Sequence, residues 1–136
     1  MGFDQYHEPP EELPANVRTF ARLCASLTEE AEAIGWYEQR LAVEPDAEAR
    51  AIMFDAQGEE FKHFSMDLEF LLRRTPRWRE IAKGVLFADG DIVEHGEAAE
   101  AAAGDEEHAG GDGSGLSGGT TAGGSLGIGS LRERAR

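Results

Sequence analysis

Apolar residues recur at helical spacing along two long segments of the chain. In the first segment, from about Ala15 to Leu41, they trace one narrow stripe that consists of Val17, Phe20, Cys24, Leu27, Ala31 and Ile34. The second segment follows Pro45 and Asp46 and ends near Arg74, and its apolar positions are Ala49, Ile52, Met53, Ala56, Phe64, Leu68 and Leu71. This periodicity predicts two amphipathic helices. Their short connection predicts that they pack as antiparallel neighbours.

A third, shorter helix is predicted directly after the second. Thr75 and Pro76 are typical of a helix N-terminus, and Arg77–Phe87 continues with helical spacing. No segment shows the alternation of a strand. The predicted fold class is therefore all-α, with an antiparallel two-helix hairpin plus a short third helix in residues 15–88. Residues 1–14 carry three prolines and are expected to form an irregular N-terminal lead-in.

The C-terminal third has a different composition. Of 17 glycines, 11 lie at or after Gly104, and no Lys or Arg occurs between Lys83 and Arg132. An acidic, Gly-rich stretch buries too little apolar surface to offset its ordering entropy. Residues 89–123 are therefore predicted to be a disordered linker, followed by a tail, 124–136. About 75–80 residues remain for folding, a size at which oligomerisation commonly supplies missing stability.

The net charge and the apolar content of the chain argue against some classes of partner and some locations. The net charge of -14 argues against nucleic acid and anionic membranes as partners. No apolar run has the length of a membrane span, and the N-terminal residues lack the pattern of a signal peptide, so we expect a cytoplasmic protein. The single cysteine, Cys24, excludes an intrachain disulfide and a CxxC metal site.

Polar residues that could bind a metal lie on or beside both apolar stripes. Glu60 lies in the middle of the apolar face of the second helix, and His63 follows one turn later on the same face. Glu30 lies beside the stripe of the first helix. A carboxylate on an apolar face needs a cation, an Arg or a proton. Metal binding is one interpretation; alternatively, Glu60 pairs with an Arg of a partner chain and His63 is a hydrogen-bonded core residue.

These three residues form half of a known kind of metal site. Ferritin-like bundles build a two-metal centre from a Glu on each of two helices and a Glu-x-x-His motif on each of the other two. Carboxylate oxygens with one imidazole suit iron or manganese. This chain offers one Glu and one Glu-x-x-His, so we infer that two chains must meet to complete the centre.

Two stretches resemble the encapsulated ferritins, cargo proteins of bacterial encapsulin nanocompartments. The first comprises the two helical segments LTEEAEAIGWYEQR (Leu27–Arg40) and EEFKHFSMDLEFLLRR (Glu59–Arg74), and the second is the tail GSLGIGSLR (Gly124–Arg132). The resemblance implies a dimer with a ferritin-like four-helix bundle, dimers closed into a ring-shaped decamer, and location inside an encapsulin nanocompartment. It also implies ferroxidase activity, the oxidation of Fe(II) to Fe(III) by oxygen, with the iron stored in the shell.

The same resemblance implies roles for individual residues. The ligands of the diiron centre, which bridges two subunits, would be Glu30, Glu60 and His63. Glu29 and Glu32 would attract iron at the entrance, and Trp36 and Tyr37 would lie around the ligands. Residues 124–132 would bind the encapsulin shell protein through the apolar side chains of Leu126, Ile128 and Leu131. Phe61 and Phe64 are bulkier than we expect of the family at these positions.

Two further functions stay open at this point. The same ligands could serve a non-enzymatic metal-binding protein, or the hairpin could be a structural adaptor that its C-terminal peptide recruits. Trp36 and Tyr37 could equally be packing residues of an interface.

Overall fold

The computed structural model describes residues 5–104, which contain four α-helices and no strand. A short 3-10 turn, Pro10–Glu12, precedes α1 (Ala15–Val43). The other helices are α2 (Ala47–Arg74), α3 (Pro76–Val85) and α4 (Ile92–Ala103). The all-α prediction is confirmed for this part of the chain. None of the helices among these residues is long and apolar enough to cross a membrane.

The α1–α2 hairpin is closed by local hydrogen bonds at its turn. The Asp46 side chain accepts from the Ala49 N–H at 2.8 Å, which caps the N-terminus of α2. The Glu44 side chain accepts from the Asp46 N–H at 2.9 Å, so the turn is held on both sides of Pro45. These contacts reverse the chain within three residues, and α1 and α2 pack against each other along the hairpin.

The hairpin buries few apolar side chains. Only Ala25, Leu71 and Leu72 are buried apolar residues among those described, whereas several large side chains along the helices are exposed. Val43 is 81% exposed, Phe54 70% and Ile52 66%. Such a thin core is expected of a segment that relies on further contacts for its stability.

The last helix corrects the sequence prediction. Residues 89–123 were expected to be a disordered linker, yet Ile92–Ala103 form α4. The Asp91 side chain caps this helix by accepting from the Val93 N–H at 2.8 Å and the Glu94 N–H at 3.0 Å. Average composition hides this cap and the high helix propensity of the alanines that follow. The rest of the predicted linker and the tail lie outside the described residues.

Helices α3 and α4 form a second, shorter hairpin. Their contact is close: a Cβ atom added to Gly84 would lie 2.5 Å from the Cβ of Ala99. Helix α3 ends at Val85, two residues earlier than predicted, because the backbone of Leu86 is extended. Phe87 then adopts a φ of 63°, which also lies outside the helical region. His95 of α4 contacts the segment that connects α3 to α4: its Nε2 atom lies 2.8 Å from the carbonyl oxygen of Asp89.

Candidate metal centre

Three side chains that could bind a metal converge on one side of the α1–α2 hairpin. Glu30 extends from α1, and Glu60 and His63 extend from α2. One ligand atom from each residue lies within 4.8 Å of the other two. The Nδ1 atom of His63 is 3.5 Å from Oε2 of Glu60 and 4.0 Å from Oε1 of Glu30. The structure thus brings together the three residues that the sequence predicts as metal ligands.

The register of the hairpin aligns α1 with α2 at this point. Gln57, one turn before Glu60, is only 4% exposed. Its Nε2 atom donates to Oε2 of Glu38 at 2.9 Å and to the carbonyl oxygen of Ile34 at 3.4 Å. A buried amide that lost these partners would remain unsatisfied. This bond therefore opposes sliding of α2 along α1 and helps to keep Glu60 opposite Glu30.

The two carboxyl groups are close enough to perturb one another. The pKa of Glu30 is raised, first by a hydrogen bond with the Glu60 side chain, then by burial and by the charge of Glu60. The nearby imidazole of His63 opposes this rise in pKa, and Asp67 adds to it. The side chains of Glu30 and Glu60 are each 22% exposed. A cation placed between them would relieve the repulsion that raises the pKa of Glu30.

The donor set fits a hard or borderline divalent metal ion. Two carboxylates and one imidazole match the ligands that iron and manganese accept, and no thiolate is present to favour a softer ion. His63 is 46% exposed, so the site opens to the surface of the chain. Three side chains leave coordination positions that the described residues 5–104 do not fill.

The sequence model of the EncFtn-like family matches residues 5–89, a range that includes all three side chains. The chain belongs to this family. It is 41% identical over 130 residues to a protein from Rhodospirillum rubrum described as an encapsulated ferritin-like protein, a match that spans 95% of this chain and 89% of the relative. This family assignment confirms the resemblance to the encapsulated ferritins.

Two further proteins are similar to this chain. A ferritin-like protein from Thermotoga maritima is 42% identical over 109 residues, which cover 80% of this chain and 93% of the relative. A crystal structure of a protein from Nitrosomonas europaea superposes with a TM-score of 0.64 at 37% sequence identity. The superposition covers 65% of this chain and 98% of the chain from N. europaea.

Four further residues are predicted to lie around the three candidate ligands. Glu29 and Glu32 are exposed on α1. Trp36 is 53% exposed. The Tyr37 ring lies 5.3 Å from the guanidinium carbon of Arg40, and among the described residues no hydrogen bond links its hydroxyl to the three candidate ligands. The roles of these four residues stay predictions, as does that of the tail residues, which lie outside the described part.

Sequence reasoning missed two residues beside the site. Gln57 was not singled out, although it lies three positions before Glu60 on the same face of α2. Asp67 follows His63 by four positions and contributes to the raised pKa of Glu30. The same helical spacing that identified Glu60 would have found both. Phe61, noted for its bulk, is 50% exposed, whereas Phe64 is partly buried.

Proposed function

We propose that the protein is a ferroxidase, which oxidises Fe(II) to Fe(III) with oxygen at a diiron centre formed between two copies of the chain. The observation that carries the proposal is the convergence of the Glu30, Glu60 and His63 side chains within 4.8 Å. Membership of the EncFtn-like family supports iron as the metal, since the relatives are described as ferritin-like.

The need for two copies follows from the number of ligands. Each chain offers two carboxylates and one imidazole, which is half of the ligand set in a ferritin-like diiron bundle. A partner that packs on the hairpin would also remove large exposed apolar side chains, such as Ile52 and Phe54, from water, which favours association. We propose a dimer with a ferritin-like four-helix bundle. A ring-shaped decamer is the larger assembly that we predict from it.

The reaction uses the geometry of the trio to hold Fe(II) as the substrate. Glu60 of each chain would bridge the two ions. Each ion would also be bound by one Glu30 and one His63. Each Fe(II) gives up one electron, so the pair supplies two electrons, and one oxygen molecule with two protons yields hydrogen peroxide. The protein contributes proximity and neutralisation of the cations, and the open positions admit oxygen.

The test is oxygen-dependent Fe(II) oxidation by the Glu60→Ala variant. We expect its rate to fall to that of free Fe(II) in buffer, because the bridging carboxylate is lost. Glu59→Ala, which removes the exposed neighbouring carboxylate, is the matched control and should keep the rate. Full activity in Glu60→Ala would contradict the assignment. Stoichiometric iron binding by the native protein without oxygen consumption would instead support the non-enzymatic alternative.

The requirement for two copies has a test of its own. Because each chain holds half of the centre, the oxidation rate should follow the dimeric or larger fraction when the protein is diluted and its mass distribution is measured in parallel. A monomer that binds two irons and turns over at the full rate would refute the shared centre.

We further propose that the protein is cargo of an encapsulin shell and stores its product there. The R. rubrum relative is described as encapsulated, and this chain carries the predicted tail motif GSLGIGSLR at Gly124–Arg132. Deletion of residues 124–136 should abolish co-purification with a co-expressed shell protein and leave Fe(II) oxidation unchanged. Equal loading of the shell without the tail would refute the targeting role.

A further inference from the structure

One end of the α3–α4 hairpin carries large apolar side chains that the described residues leave in contact with water. They lie in the connection and in the first turn of α4: Leu86, Phe87, Ile92 and Val93. Phe87 is fully exposed and has a φ of 63°, a conformation that bulky residues rarely adopt. We call this end of the hairpin, residues 86–94, the tip.

The tip is acidic as well as apolar. It contains Asp89, Asp91 and Glu94 and no Lys or Arg. The basic residue that precedes it, Lys83, pairs with Glu80 at 2.8 Å. The tip therefore presents three negative charges beside exposed apolar side chains. A protein surface that covers it should be apolar and carry positive charge.

A shallow depression on α2 has this character. Its volume is about 600 Å³, and its lining includes Lys62, Met66, Glu69, Phe70, Arg73 and Arg74. Met66 is exposed. No residue of the lining is a candidate metal ligand, and Lys62, Glu69 and Arg73 lie about 180–220° around the helix from Glu60. The depression is therefore separate from the metal centre.

The depression carries an excess of positive charge. Three of its lining residues are basic and one is acidic. The acidic residue, Glu69, pairs with Arg73 at 2.9 Å and with Arg79 at 3.1 Å, and Lys62 pairs with Glu59. Because Glu59 and Arg79 have opposite charges, including them leaves the excess at two positive charges.

Two further observations show that this excess is not cancelled by nearby carboxylates. The pKa of Glu80 is lowered first by its hydrogen bond with Lys83 and last by the charge of Arg79, so Glu80 and Lys83 form a neutral pair. Among residues 5–104, Arg74 has no carboxylate partner. Its Nη1 atom donates to the carbonyl oxygen of Phe70 at 3.2 Å, and its guanidinium carbon lies 3.4 Å from the centroid of the Phe70 ring.

We propose that the tip of one copy docks into the depression on α2 of another copy, with Phe87 as the apolar anchor. Phe87 would contact the side chains of Met66 and Phe70, and the carboxylates of the tip would lie beside Arg74. Aromatic side chains are frequent anchors of interfaces, and opposite charges around them orient the partners. The tip does not fill the depression of its own chain, because Phe87 is fully exposed.

The contact would join copies head to tail. Tip and depression are different surfaces, so each copy can bind two others, and contacts of this kind build rings or filaments. The contact leaves the metal centre free and would add a second interface to the proposed diiron dimer. It does not rest on the ferroxidase activity, and its tests use metal-free protein.

The first test is sedimentation velocity in chelator-treated buffer, where the native protein should form species larger than a dimer. Phe87→Ala should need a concentration at least about thirtyfold higher to form them, because truncation of an interface anchor weakens binding by that factor. Val43→Ala truncates an exposed apolar side chain at the turn of the α1–α2 hairpin, and this control should associate like the native protein. Circular dichroism should show native helix content in both variants.

Two outcomes of this experiment would overturn the proposal. One is native protein that forms no species larger than a dimer. The other is Phe87→Ala that associates as the native protein or Val43→Ala does.

A second test identifies the depression as the receiving surface. Arg74→Glu reverses a charge of the depression and should also lose the larger species. Mixing Arg74→Glu with Phe87→Ala should restore them, because the first variant keeps an intact tip and the second an intact depression. Native association of Arg74→Glu alone would contradict the proposal, as would a mixture that forms no larger species.

Disulfide cross-linking then locates the contact while keeping Phe87 in place. In a Cys24→Ser background, chains with Ala88→Cys in the tip and chains with Ser65→Cys in the lining of the depression are mixed and oxidised. A disulfide-linked pair that contains one chain of each kind should form in high yield. Gln39→Cys, at an exposed position of α1, replaces Ser65→Cys in the control and should give little of this product. Equal yields in the two mixtures would refute the docking.

Discussion

Replacing Glu60 with glutamine should stabilise the metal-free protein and at the same time abolish its metal binding. In the absence of a cation, the Glu30 and Glu60 carboxylates face each other with ligand atoms within 4.8 Å. The repulsion of two unit charges at that separation is about 3.5 kcal/mol at an effective dielectric constant of about 20, and about 0.9 kcal/mol at that of water. Because both side chains are 22% exposed, we expect Glu60→Gln to raise the free energy of unfolding by about 1–3 kcal/mol.

The assay is thermal unfolding in chelator-treated buffer at pH 8, above the range in which imidazoles usually titrate. For a domain of this size, 1 kcal/mol corresponds to about 4–8 °C in Tm. Glu59→Gln is the control, since it removes an exposed carboxylate that pairs with Lys62 and should not raise Tm. Anaerobic Fe(II) at about 100 times its Kd should then stabilise the native protein by about 2.7 kcal/mol and leave Glu60→Gln unchanged.

The order of stability of the two proteins should therefore reverse when metal is added. If metal-free Glu60→Gln unfolds at a lower temperature than the native protein, the carboxylates do not repel each other and the electrostatic reasoning fails. If Fe(II) stabilises both proteins equally, Glu60 is not a ligand.

Three further predictions concern the ligands and the two hairpins. His63→Ala should slow Fe(II) oxidation at least about tenfold in a stopped-flow assay, since changes even outside the ligand shell cost 10–100-fold; an unchanged rate would exclude the imidazole as a ligand. Gln57→Ala should lower the free energy of unfolding by about 1–3 kcal/mol in urea, because the bond to Glu38 is lost; native stability would show that this bond does not hold the register. Gly84→Ala should cost about 1–3 kcal/mol by overpacking against Ala99, and adding Ala99→Gly should restore part of the loss; no change in thermal unfolding would contradict the close contact of α3 and α4.

The sequence was sufficient to predict the long hairpin and its three converging side chains. The apolar stripes fix which face of each helix is inside, and Glu60 is conspicuous because it interrupts that face. Two antiparallel helices joined by a short turn leave little freedom in register, so Glu30 had to lie near Glu60 once both faced inward. The role of Gln57, by contrast, is not evident from the sequence, because a neutral amide on an apolar face costs less than a charge and so demands no particular partner.

Helix α4 was missed for a different reason. Acidic, Gly-rich composition averaged over residues 89–123 predicts disorder, but Asp91 and the alanines after Glu94 carry local helix signals that the average conceals. The packing of α4 on α3 depends on Gly84 and Ala99 being small enough to approach each other, which is a pairing between two segments and not a pattern within one. Contacts of that kind cannot be predicted from the periodicity of a single helix.

The most direct test of the shared diiron centre is a crystal structure of the protein loaded with Fe(II) without oxygen, with anomalous scattering measured at the iron edge. Two iron peaks should lie between two chains, each in contact with Glu30, Glu60 and His63 side chains contributed by both copies. Iron bound entirely within one chain, or anomalous peaks only at sites away from these three residues, would contradict the account.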